Sequence, residues 1–108
     1  MTFQEMFTQS FLGLKAQGFR QAVNLEGDCC YRTPSGLKCA VGHLIPDELY
    51  HSNMEGETPS NLPTQIFPAI ALSFLHSLQR VHDHADTPEV METQLRLFAA
   101  THSLEVPQ

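Results

Sequence analysis

Twelve acidic residues against six basic ones leave a net charge of −6 over 108 residues, and the basic residues stand singly, so direct nucleic-acid binding is disfavoured. A hydrophobic fraction of 42% at this length supports one folded domain, residues 1–108, whose core needs neither disulfides nor a metal. No apolar run approaches the ~20 residues of a membrane-crossing helix, no secretory signal opens the chain, and the three cysteines are an odd number, so free thiols in a reducing, cytoplasmic compartment are expected.

The first element is a helix over 2–17. Thr2 caps it, with Glu5 placed three residues on as in a capping box. Phe3, Met6, Phe7, Phe11 and Leu14 form its apolar stripe, and Gly18 suits a left-handed end. Residues 19–25 alternate weakly and read as a strand or as a continuation of the helix. Thr33-Pro34-Ser35-Gly36 is a turn signal between two β-compatible runs, Cys29 to Arg32 and Leu37 to Val41, which together predict a β-hairpin. Two registers fit. A two-residue loop sets Cys30 opposite Cys39; a three-residue loop, with Gly36 in the left-handed position, sets Tyr31 opposite Cys39 and is favoured by Pro-Ser-Gly.

Pro46-Asp47-Glu48 then starts a short helix near 46–51. Residues 52–65, rich in Ser, Asn, Gly, Thr and Pro, read as a loop. A second long helix runs over 67–82, with Ile70, Ala71, Phe74, Leu75, Leu78 and Val81 on its apolar face. Thr87-Pro88-Glu89 opens a third, whose inner stripe is Val90, Met91, Gln94, Leu95, Phe98 and His102. Residues 104–108 should fray. The expected fold class is therefore α+β: a mostly helical single domain with a small antiparallel hairpin sheet at about 29–41, packed by three main helices.

Some of this pattern is familiar. Cys29-x-Tyr31-Arg32, Gly36-Leu37-Lys38-Cys39-Ala40-Val41-Gly42, Leu44-Ile45-Pro46-Asp47, Tyr50 and Met54-Glu55-Gly56 resemble a group of short bacterial and phage-associated proteins that carry no assigned activity. A thinner likeness continues over Leu78-Gln79-x-Val81-His82-Asp83. The resemblance implies a cytoplasmic single-domain protein of bacterial or prophage origin and carries over no catalytic role. His43 falls where it implies variable residues.

Four groups of residues could carry chemistry. Cys39, near a strand end and a helix start, would be a nucleophile with His43 one turn further on as its base. Cys29, Cys30, Cys39 and His43, with His51 as a further donor, are of the right types for zinc, but their spacing is not that of a paired knuckle. The plainer reading is cysteine packed as a small hydrophobe. His82-Asp83-His84-Ala85-Asp86 looks like a chelating run, yet histidines two apart do not share a helix face, so a polar helix end is expected. Tyr31, Arg32, Asp47 and Tyr50 form a candidate binding rim, or a structural lock if Arg32 pairs with Asp47 or Glu48.

No phosphate loop, nucleophile elbow or H-E-x-x-H motif occurs. The leading expectation is a non-enzymatic accessory protein that binds another protein, without cofactor, membrane or nucleic acid. The alternatives are thiol or zinc chemistry using Cys39 with His43, and a small-ligand pocket between hairpin and second helix, lined by Tyr31, Arg32 and His82.

Overall fold

The computed structural model of the chain describes residues 1–63 and 65–107. Three α-helices organise it: α1 (Phe3–Ala16), α2 (Leu72–Asp83) and α3 (Pro88–Thr101), with short 3-10 turns between α1 and α2. No helix among the described residues is long and apolar enough to cross a membrane.

Each helix starts and stops for local reasons. At α1, Glu5 N–H donates to Thr2 Oγ1 (3.1 Å) and Thr2 N–H to Glu5 Oε1 (2.7 Å), a reciprocal cap worth about 1 kcal/mol. Its C-terminus closes as a Schellman motif: Gly18 N–H donates to Lys15 O and Phe19 N–H to Leu14 O, with Gly18 at φ +74°. Thr87 caps α3, with Pro88 in its first turn. The second helix starts later than its apolar pattern suggests, because Ala69–Ala71 is a 3-10 turn and leaves Ile70 exposed.

Phenylalanines join the three helices. Phe3 of α1 stacks on Phe74 of α2 at 4.5 Å, Phe7 lies 6.0 Å from Phe98 of α3, and Phe74 meets Phe98 edge-on at 5.4 Å. Phe7, Phe11, Leu14, Leu75, Leu78, Met91 and Leu95 are fully buried around them. On α3 the buried stripe is Met91, Leu95, Phe98 and Ala99, while Val90, Gln94 and His102 stay exposed. The 52–63 stretch is anchored by buried Met54, Pro59 and Leu62 and holds two further 3-10 turns. Residue 64, in the expected 52–65 loop, lies outside the described residues, as does residue 108 of the expected frayed tail. Within that tail, Glu105 N–H donates to Gln4 Oε1 (2.8 Å) and Gln4 Nε2 to Glu105 O (2.9 Å).

The expected α+β class is corrected here. No β-strand or sheet occurs among the described residues, and the 29–41 hairpin is reduced to isolated bridges, Val23 with Cys29 and Arg32 with Lys38. The turn contacts at 33–37 are those of a three-residue loop: Thr33 N–H to Leu37 O (2.9 Å), with Gly36 at φ +95°. Side chains hold most of the backbone that a sheet would have paired. Glu55 accepts from Tyr31 and Arg32 N–H (2.8 and 3.1 Å), Gln17 accepts from Lys38 N–H (3.1 Å) and donates to Lys38 O (2.7 Å), and Gln79 accepts from Val41 N–H (3.0 Å). Backbone polar groups near a core must be satisfied, but any partner will serve. With those partners supplied by helices and loops, pairing stops at isolated bridges and does not extend into a ladder. The expected helix at 46–51 is likewise a single 3-10 turn, Asp47–Leu49.

Candidate functional site

Cys39 and His43 are engaged by different partners. The Cys39 side chain is fully buried, its Sγ accepts from Gly42 N–H (3.3 Å), and burial pushes its thiol up to about 12. A thiol held protonated at neutral pH is a poor nucleophile. His43 lies across Gly13 of α1, where a β-carbon would overlap its imidazole. Its Nε2 faces Gln17 Oε1 at 3.1 Å, and burial, with the nearby Lys38 and Arg32 charges, pushes its pKa down to about 4. It is a neutral plug between helix and loop.

Tyr31, Arg32, Asp47 and Tyr50 do meet, around a residue outside the expected rim. Glu55 clamps two successive backbone N–H groups at Tyr31 and Arg32 and accepts from Tyr50 Oη (2.6 Å). Arg32 donates to Ile45 O (2.8 Å), pairs with Asp47 Oδ1 (2.8 Å) and lies 4.6 Å from the centre of the Tyr50 ring. Asp47 is largely exposed, so that ion pair contributes at most about 1 kcal/mol. Gly42 completes the arrangement, because a β-carbon there would run into the Tyr31 carbonyl. Tyr31, Arg32, Gly42, Asp47, Tyr50 and Glu55 thus hold one loop to another, which is a structural task.

A chemically varied concavity lies elsewhere, between the Cys29–Tyr31 segment, residues 56–59 and α2. It is a cleft of about 330 Å³ whose walls include Cys29, Pro59, His76, Gln79, Arg80 and Asp83. Tyr31 lines it, but its hydroxyl is committed to Glu57 O. Arg32 and His82, expected in such a pocket, do not line it.

His82 forms the cleft's foundation. The side chain is fully buried; its Nε2 accepts from Ala22 N–H (2.9 Å) and its Nδ1 faces Asp83 Oδ1 (2.9 Å). A backbone donor at Nε2 places the ring proton on Nδ1. Asp83 Oδ1 also accepts from Gln79 Nε2 (2.8 Å). Burial works to raise the Asp83 pKa, but the hydrogen bonds from His82 and Gln79 outweigh it and hold the carboxyl below its usual value. Cys29, in turn, is pushed up to about 12 by burial and by Asp83.

Among the described residues, Cys29, His82 and Asp83 are the one group whose donor atoms all lie within 4.8 Å of one another. Cys30, Cys39 and His43 are not in it. The group fits zinc poorly. A metal on His82 Nδ1 would move the ring proton to Nε2, against the Ala22 N–H, and without His82 only two of the four ligands of a structural site remain.

A second concavity, about 420 Å³ and mostly apolar, lies between the 23–26 and 33–35 turns, with Val23, Leu25, Glu26 and Pro34 in its walls. Leu25 is fully exposed and Val23 partly so. The turn beneath them is closed by hydrogen bonds: Asn24 Oδ1 accepts from Glu26 and Asp28 N–H (3.0 and 2.9 Å), and Gly27 N–H donates to Asn24 O (3.0 Å) with Gly27 at φ +87°.

No family model, curated protein or solved structure matches this chain.

The sequence carried a signal for His82 that its polar neighbours masked. Leu75, Leu78 and His82 stand at i, i+3 and i+7, the spacing of an inward stripe. Glu55 gave no such signal. It sits in a polar loop, and its role depends on two distant backbone groups that no local pattern encodes.

Proposed function

We propose that the protein is a non-enzymatic, cytoplasmic accessory protein that binds another protein through the groove between the 23–26 and 33–35 turns. The observation that carries this reading is Leu25, an aliphatic side chain held wholly in solvent by a turn closed with hydrogen bonds. Exposing a leucine forgoes about 2 kcal/mol of burial, and a turn already closed by its own hydrogen bonds loses little entropy when a partner covers it. Beside it, Glu26 lines the groove and Asp28 is exposed on the same turn. A basic segment with an apolar anchor fits that surface, whereas a second copy of this acidic chain would bring like charges together. The three unbridged cysteines support a reducing compartment.

A randomised peptide library panned on the protein and counter-panned on Leu25→Asp tests the reading. Enrichment of peptides with an apolar anchor and flanking Lys or Arg, retained by the parent and lost by the variant, is expected. Enrichment of nothing, or of peptides that bind both forms equally, overturns it.

A further inference from the structure

The cleft beside α2 is separate from that groove and has a charge pattern of its own. His76, Arg80 and Asp83 follow one another at four and three residues along α2, so all three lie on neighbouring turns of one face, and all line the cleft. Arg80 is exposed and forms no ion pair among the described residues, with Asp83 or with any other acid. The Asp83 carboxyl is held below its usual range, its hydrogen bonds from Gln79 and His82 both fall on Oδ1, and the Cys29 thiol is its other close neighbour. One helix face thus presents an anion and a cation to the same small cavity without letting them neutralise each other. The opposite wall brings Pro59, the Cys29 thiol and a second acid, Glu57, whose Oε2 accepts from Asn61 Nδ2 (3.1 Å).

We propose that this cleft binds a small zwitterion of the free α-amino acid class, its ammonium on Asp83 and its carboxylate on Arg80 with His76 beside it. A simple anion would meet the Asp83 carboxylate, and a simple cation would meet Arg80. A ligand that carries both charges on one small frame, as an α-amino acid does on a single carbon, fits between the two side chains and pairs with each. The cavity is sized for a small molecule rather than a chain segment. Gln79 and His82, both bonded to Asp83 Oδ1, act as positioning residues that aim the carboxylate, His82 from beneath the cleft and Gln79 from its wall.

The test is a two-dimensional amide NMR titration of isotopically labelled protein with individual free L-amino acids. Each acid is matched by its N-acetyl form, which lacks the cation, and its carboxamide form, which lacks the anion. At least one free amino acid should give saturable shifts centred on the amides of Cys29, His76 and Gln79. Blocking either charge should weaken binding about tenfold or more, as loss of one ion pair in a partly enclosed site does. Arg80→Gln, a change at an exposed position, should weaken the free acid to the level of the carboxamide while leaving the spectrum folded. Absence of saturable shifts at millimolar concentration of every amino acid overturns the proposal. So does equal binding of the blocked forms, or an unchanged affinity in Arg80→Gln.

Discussion

Where α1 passes the loop, Gly13 leaves a notch that the His43 imidazole fills, and the ring is thereby committed to its neutral form. Its pKa falls from 6.5 to about 4 on folding, so between those values the unfolded chain binds a proton that the folded one refuses. Stability contributed by the neutral ring is fully present above pH 6.5 and is lost as pH falls towards 4. The ring is partly exposed, and solvent screening reduces the full linkage of about 3 kcal/mol to ~1–2 kcal/mol. Urea denaturation midpoints at pH 7 and pH 4.5 should differ accordingly. His43→Gln, which keeps a donor near Gln17, should flatten that part of the profile; an equally steep profile in the variant would assign it to other groups. In sequence His43 looked like a base beside Cys39, because spacing reveals proximity along the chain and nothing about which neighbour claims each side chain.

The elements were unevenly legible. Helix ends could be read because their chemistry is local: Thr2 with Glu5, Gly18, and Thr87 with Pro88 need only neighbours within a few residues. The segment 29–41 could not, since its β-compatible residues were real but their backbone partners lie on Gln17, Glu55 and Gln79, far off in sequence. Arg32 and Asp47 could be foreseen as neighbours from their charges, whereas Glu55 at the centre of their network could not. Glu55→Ala would leave the Tyr31 and Arg32 N–H groups and the Tyr50 hydroxyl without their acceptor. We expect a loss of about 2–4 kcal/mol, with amide exchange at Tyr31 and Arg32 accelerating more than at the centres of α1 and α3. Uniform acceleration across the chain would mean that the loop has no stability of its own to lose.

At the scale of the molecule, the three thiols report on the whole fold. Cys30 and Cys39 are buried, Cys29 is partly so, and burial pushes each thiol upward, with Asp83 adding to the effect at Cys29. In the folded protein at neutral pH, a disulfide reagent should find every thiol ~100-fold or more slower than free cysteine. In denaturant all three should react at once. A single fast thiol before unfolding would show that the Cys29 segment opens away from α2 independently of the core.

The pair between Gln4 and Glu105 has a last consequence. Its two hydrogen bonds span 101 residues, so they turn the linear chain into a closed ring. Closing so large a loop is entropically unfavourable unless the intervening chain is already collapsed, which places this contact among the last to form. Loss of structure at either end of this loop, at Gln4 in the first turn of α1 or at Glu105, therefore costs the other end the same two hydrogen bonds.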